Sequence, residues 1–565
     1  MTVREEITEK LSAFRQKMQG SFGQDDRRLA LLQLIRCLDH EGASPSLYGQ
    51  AHDAHKINCE LFGWGLNEAL LLFWNDEVKE AGVPLTRTTS EYKQWADSVL
   101  VCSGKVRLIE YALELERIGL GTLSRSSTQQ SSYDFRYSHL AIGVEAIERE
   151  DAQILKILAR REDDQSTQAQ NLAERRASVT EKMRELVKPF HDHYISYGAA
   201  PEVDQFYDDL SKTIALSLTG WDAFPPNCIF GGISYFKYVE CVRHVIGFAM
   251  KHLDFCLLLC EAHPKINPID ILSVPSKWTD TFGFMACALG IHENESEQIM
   301  LTTCLTPENA KHHLAIPAGP IAPHYMIGDG SVVRSIIGCT HNPFHFMLRE
   351  LKRKHPLDWD KSVDQREHAF RDDLIRLFSG FGRIVFFTDN IDINSSSGKT
   401  DIDVFAYDPH NKIAGIFQLK WQDAFGGSMR ERESRKRNFL QGGNAWVEKV
   451  ISWHEEGRMP GVLASLGMPS EMAKEIESIR VFVLGRTFSH FSGEYPIDSR
   501  AAWGNWFQVL RLFDKKVDSA SPITSLYELL IADSPVHRTS KPFQLQGIKV
   551  AGLTIVMHPH EPAIS

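Results

Sequence analysis

The chain has no Cys-x-x-Cys pair, and none of its ten cysteines falls after Cys339. That spacing excludes a zinc ribbon. Most of the cysteines lie in apolar runs, such as Cys256 and Cys260 in DFCLLLCEAH, and are expected as buried, reduced thiols of a cytoplasmic protein. Long apolar runs are also lacking. The most apolar stretch, VIGFAMKHLDFCLLLC, is interrupted by Lys251 and Asp254, which excludes a membrane span. MTVREEITEKL has no apolar signal core, so the expectation is a cytoplasmic chain without a membrane partner. Positive charge is not in excess: 62 Lys and Arg stand against 73 Asp and Glu, for a net charge of −11. A uniformly basic nucleic-acid coat is therefore excluded. Neither GxSxG nor HExxH occurs. Ser397-Gly398-Lys399-Thr400 ends like a phosphate-binding loop, but Ile393 stands where its first glycine is required. His191/His193 and His312-His313 have no partner cluster at ligand spacing, and are read as ordinary histidines.

What is present is 565 residues of globular composition, 43% apolar and 24% charged. That length suggests three or four domains' worth of chain. Residues 1–335 read as a mostly helical region, with a possible split near 140–200. LALLQLIRCL, NEALLLFW and VRLIEYALELERIGL carry apolar residues at helical spacing. The charged stretch from Gly143 to about Glu185 predicts a long helix or helical hairpin. Around 314–345, Pro and Gly mark a connector with room for a short strand or two. From 336 to 565 the texture becomes α/β: helix 364–380, strands 383–388, 401–407 and 413–420, helix 430–457, strand 480–486. The segment beyond about 490 can extend this sheet or pack on the helical region. Charge follows the division, at roughly −12 before residue 340 and roughly +1 after it.

The informative segment is GKTDIDVFAYDPHNKIAGIFQLKWQ, residues 398–422. Two β-patterned runs flank a turn at Asp408-Pro409-His410-Asn411. Alternation puts Asp401, Asp403, Phe405 and Tyr407 on one face of the first run. Ile416, Gln418 and Lys420 share a face of the second. Hairpin pairing then brings Asp403 beside Gln418 and Lys420 at one end of a sheet. A carboxylate, an amide oxygen and a backbone carbonyl near Leu419 suit Mg²⁺ (or Mn²⁺), a hard cation that keeps several waters. Such a metal polarises a phosphoryl oxygen and acidifies a bound water. Lys420 is placed to orient that water or to neutralise charge on phosphate.

In order and phase, these elements resemble the PD-(D/E)xK nuclease superfamily, with its restriction-endonuclease-like fold, and more narrowly the Mrr-like branch with Gln at the acidic position. The matching pieces are REHAFRDDLIRLFSGFG, RIVFFTD, TDIDVFAYD, IFQLKW, a long helix and IRVFVLG, across about 360–490. The resemblance implies an α/β domain with a central mixed sheet. Asp403 then matches the metal-binding Asp, with Asp401 as the competing choice. Gln418 matches the Glu/Gln position, Lys420 the catalytic Lys and Glu367 the acidic residue of the preceding helix. Departures are the missing Pro before either Asp and the neutral Gln418, a weaker ligand than Glu.

Downstream, Arg430, Arg432, Arg435, Lys436 and Arg437 form a basic cluster that reads as a phosphate-tracking surface, with a solvated helix face as the alternative. The combined expectation is a Mg²⁺-dependent nuclease acting on nucleic acid, DNA ahead of RNA. Its helical region would sense, dock a protein partner or self-associate, an arrangement that by resemblance suits a bacterial defence or restriction effector. The alternative is a nuclease-fold module that binds nucleic acid or protein without cutting.

Overall fold

A computed structural model describes residues 2–22, 27–49, 53–74, 82–84, 86–126, 131–138, 165–191, 193–316, 319–388, 391–423, 428–465, 467, 469–491, 496–534 and 547–558. The first half of the predicted charged helix, 143–164, lies outside them, and the described remainder is helical. Within them the protein is a mixed α/β, multidomain chain. No helix among these residues is long and apolar enough to cross a membrane.

The first region opens with α1 (Val3–Gln19), α2 (Arg27–Tyr48), α3 (Asp53–Phe73) and α4 (Ser90–Arg117). Thr2 and Glu5 start α1 with a reciprocal capping box, satisfying two backbone N–H groups that the helix leaves unpaired. Helices α3 and α4 pack closely because two glycines face the partner backbone. A Cβ on Gly65 would stand 2.3 Å from the Leu100 carbonyl oxygen, and one on Gly104 would stand 2.2 Å from that of Leu61. Strands β1 (Gly121–Arg125) and β2 (Ser132–Tyr137) form an antiparallel hairpin. Three further helices follow: α5 (Gln165–Leu186), α6 (Pro201–Leu216) and α7 (Tyr235–Ala262).

The connector at 314–345 carries the two short strands it had room for, and they join two earlier strands in a four-stranded sheet. This sheet joins β3 (Val274–Lys277), β4 (Cys304–Leu305), β5 (His324–Gly328) and β6 (Ser331–Arg334) in the order β3-β6-β5-β4. Helix α8 (Pro343–Lys354) then buries Phe344, Met347, Leu348 and Leu351 in the core built around α7. The helical region thus extends past 335. It passes into α9 (Pro356–Phe378), whose Trp359 still belongs to that core.

The α/β part contains β7 (Val385–Phe387), β8 (Ile391–Ser395), β9 (Gly398–Ile402), β10 (Val404–Asp408) and β11 (Ile413–Lys420). Next come α10 (Met429–Glu455), β12 (Ser478–Gly485), β13 (Ala501–Asn505), α11 (Trp506–Lys516) and α12 (Pro522–Ala532). Five strands make one mixed sheet in the order β7-β10-β11-β12-β13. The pairs β7/β10 and β10/β11 are antiparallel, and β11/β12 and β12/β13 are parallel. Both faces are covered, which explains the near-continuous apolar reading of β10, β11 and β12. On one face Trp446, Val447, Val450 and Trp453 of α10 meet Phe405, Tyr407, Ile416 and Val483. On the other, Phe370, Leu374 and Phe378 of α9 meet Val404, Phe417 and Leu419, with α11 and α12 beside them. Phe417 and Phe482 stack with ring centroids 4.4 Å apart.

One feature differs from the sequence reading. The strand expected at 401–407 is broken at Asp403. Its first part, β9, pairs with β8 in a separate hairpin, so exposed Asp401 sits opposite Asp392 and does not continue the buried row of Phe405 and Tyr407. Beyond 490 the chain takes both courses left open: β13 extends the sheet, whereas the last two strands, β14 (Gly547–Val550) and β15 (Leu553–His558), pack on the helical region. They complete a sheet with the first hairpin, in the order β1-β2-β15-β14, and β15 runs parallel to β2.

Candidate active site

The site lies where β11 ends. Continuing the β10/β11 register, in which Val404 faces Phe417, sets Asp403 opposite Gln418. The Asp403 backbone N–H donates to the Phe417 carbonyl at 3.2 Å. Its side chain turns to the same strand. Oδ2 accepts from the Leu419 backbone N–H at 2.6 Å and from Gln418 Nε2 at 2.8 Å. Asp403 and Gln418 are 8% and 4% exposed, whereas Lys420 at the strand end is half-buried. Glu367 comes from α9, half-buried just outside the apolar row of Phe370, Leu374 and Phe378.

The charges of these groups interact. Burial raises the Asp403 carboxyl above its ordinary range; the Leu419 N–H, Lys420 and Gln418 oppose that shift, and Asp401 adds to it. Burial likewise raises Glu367, with Lys420 opposing and Asp403, Asp364 and Asp401 reinforcing. Glu367, Asp403 and Lys420 thus form one electrostatic cluster, with Asp401 at its exposed margin. Desolvated carboxylates with a single lysine among them are short of positive charge, which is the deficit a hard divalent cation fills. Both N–H donors to Asp403 fall on Oδ2, and Oδ1 takes neither of them. With Nε2 turned to Asp403, the Gln418 amide oxygen is directed away from that carboxylate.

The five predicted basic residues do not form one exposed face of α10. Arg430 and Arg437 are exposed and Arg432 is half-buried. Arg435 lies toward Phe488, 6.0 Å from the ring centroid, and 3.9 Å from Glu431. Lys436 is buried, with its pKa pushed down chiefly by that burial. Alternating charges in RERESRKR follow the helix round rather than marking one side.

Sequence reading missed the residues that tie this site to the rest of the chain. The Arg486 backbone N–H donates to the Lys420 carbonyl at 2.8 Å. Its guanidinium bonds Asp373 of α9 and Asp222 of the helical region, both at 2.6 Å. It lies 4.7 Å from the ring centroid of Trp421, 5.3 Å from that of Phe370 and 5.4 Å from that of Trp506. One residue before Glu367, buried Arg366 pairs with Asp423 at 2.7 Å and lies 3.7 Å over the Phe224 ring. A cleft of 1420 Å³ opens beside these contacts, between the α6–α7 segment and the α9–α11 side of the sheet, with Trp221, Asp222, Asp372, Trp421 and Trp506 in its walls. It takes the α9 face of Gln365, His368 and Asp372, not that of Glu367. Its partners are too far apart in sequence for any local pattern to announce them.

Two of the discounted residues have ordinary partners. His313 is buried and bonds Glu350 at 2.8 Å, and Cys256 is buried against the Ile271 carbonyl. No protein-family model, curated protein or solved structure matches this chain.

Proposed function

We propose that the α/β part is a metal-dependent nuclease with a restriction-endonuclease-like core, hydrolysing phosphodiester bonds in DNA ahead of RNA. The carrying observation is the bond between Asp403 and Gln418 beside the strand end that carries Lys420, with Glu367 of α9 within range of their charges, in a sheet whose first three strands are antiparallel and whose third and fourth are parallel. Asp403 Oδ1 and the Glu367 carboxylate fit a Mg²⁺ or Mn²⁺ ion, and Gln418 supplies its amide oxygen after a flip of the group. A bound ion of this kind would polarise the phosphoryl oxygen and acidify a water. Lys420 orients that water or neutralises the phosphate, Glu367 assists, and Leu419 N–H fixes the Asp403 carboxyl. Arg430 and Arg437 are the cations best exposed to track a phosphate backbone. The helical region governs access or geometry through the Asp222–Arg486 and Phe224–Arg366 contacts, and a defence or restriction role suits that arrangement.

One observation favours a rival. Gln418 turns its N–H donor and not its oxygen to Asp403, the arrangement expected of a module that binds nucleic acid and does not cut. Labelled duplex DNA, single-stranded DNA and RNA, incubated with Mg²⁺, Mn²⁺ or EDTA, separate the two. Wild type is compared with folded Asp403→Ala and Lys420→Ala. Metal-dependent cutting lost in both variants is the expected result. Salt-sensitive binding without cutting, unchanged in Lys420→Ala, would establish the rival.

A further inference from the structure

The helical region holds a side-chain cluster that the α/β site does not use. His55 and Cys59 stand four residues apart on α3, so they share a face. Glu41 of α2 faces them. His55 Nδ1 lies 3.1 Å from Glu41 Oε1, and Cys59 Sγ lies 3.4 Å from His55 Nε2. One donor atom from each residue lies within 4.8 Å of the other two, and all three residues are half-buried. Among the described residues this is the one group of three or more His, Cys, Asp or Glu so gathered.

The spacing matters because a tetrahedral zinc ion, with bonds of about 2.0–2.3 Å, sets its ligand atoms roughly 3.3–3.7 Å apart. The three donors need a contraction of about 1 Å to reach that arrangement. We propose that Glu41, His55 and Cys59 form a Zn²⁺ site that fastens α2 to α3. The ligand chemistry selects the metal. Thiolate and imidazole favour zinc over Mg²⁺ or Ca²⁺, which take oxygen. The imidazole gives the ion one nitrogen; its two nitrogens now face Glu41 and Cys59, so one of those contacts gives way as the three donors close round the ion. Cys59 binds as thiolate, its proton passing to solvent. Three protein ligands leave the fourth position to water. Sequence patterns do not mark the site, because Glu41 joins it from a different helix.

This inference is independent of the nuclease reading. Its test is zinc binding by the full, metal-stripped chain, measured by competition with a chromophoric chelator. Excess Mg²⁺ is included to fill hard-cation sites. Wild type is expected to bind one equivalent at micromolar zinc or below. Cys59→Ser and His55→Ala should bind at least tenfold more weakly, Glu41→Gln about tenfold, and the control Cys102→Ser as wild type. Zinc should raise the melting temperature of wild type and not that of Cys59→Ser. Circular dichroism identifies any variant that fails to fold, and the three separate ligand changes keep the test decisive. No stoichiometric binding by wild type overturns the site, as does equal binding by folded Cys59→Ser.

Discussion

Arg486 and Lys420 are joined through the backbone: the Arg486 N–H donates to the Lys420 carbonyl at 2.8 Å where β11 and β12 end side by side. The same residue's guanidinium spans Asp373 and Asp222. One arginine therefore touches the strand that ends in the candidate lysine, the helix that carries Glu367 and the helical region.

Arg486→Ala is expected to cost about 1–3 kcal/mol, because the two ion pairs and the aromatic packing are lost, a loss only partly offset as Asp222 and Asp373 regain water. Arg486→Lys should recover only part of this, since an ammonium lacks the planar guanidinium that stacks among the three rings and reaches both carboxylates in a fixed geometry. Urea unfolding of the three proteins measures it. If cutting is found, Asp222→Ala should change its rate while leaving stability nearly intact.

The pH behaviour has a definite sign. Asp403 and Glu367 have folded-state pKa values raised, chiefly by burial. The folded state then holds protons that the unfolded chain has released, so these two groups lower stability as pH rises from their ordinary values near 4 through the raised ones. Asp403→Asn removes one such charge and keeps an oxygen for the Leu419 N–H. At pH 7 it should equal or exceed wild type by up to about 1 kcal/mol. Mg²⁺ should stabilise wild type increasingly over the same rise, and Asp403→Asn little. Urea midpoints from pH 4 to 8, with and without Mg²⁺, test both statements.

The two glycines of Phe62-Gly63-Trp64-Gly65 should respond oppositely to alanine. Gly65→Ala sets a methyl against the Leu100 carbonyl and is expected to cost about 2–3 kcal/mol. At Gly63 the added Cβ meets nothing within 4 Å, so Gly63→Ala should be neutral or stabilise by about 0.5–1 kcal/mol. Thermal melts of both variants are sufficient.

Deleting residues 547–565 should destabilise the first region rather than the α/β part. Ile548, Leu553 and Ile555 are buried with Ile7, Leu11 and Phe135. Exchange of backbone amides, followed by mass spectrometry, should show lost protection in α1, α4, β1 and β2, with β10–β12 unchanged.

What could be read from the sequence was local. The run IAGIFQLK becomes β11 with the expected ends, because eight alternating or apolar residues follow a turn anchored by Asp408. The pairing of Asp403 with Gln418 follows from strand periodicity and the hairpin turn. The break at Asp403 was hidden, since Asp-Ile-Asp alternates as a continuous strand would; only the side-chain bond to Leu419 N–H and the β8/β9 ladder reveal it. Lys436 looked solvated because charge suggests exposure, yet tertiary packing covers it. Arg366, Asp423, Asp222 and Arg486 were beyond local reading, as their partners lie 57 to 264 residues apart.

The β1-β2-β15-β14 sheet makes the chain topologically nested. The α/β part is an insert, entered through α8 and α9 and left before β14, with both ends returning to the same body. During synthesis from the N-terminus, β15, which lies parallel to β2, emerges only after every strand of the inserted sheet. The first region therefore completes its architecture last, and the order of assembly runs from the inside of the sequence outward.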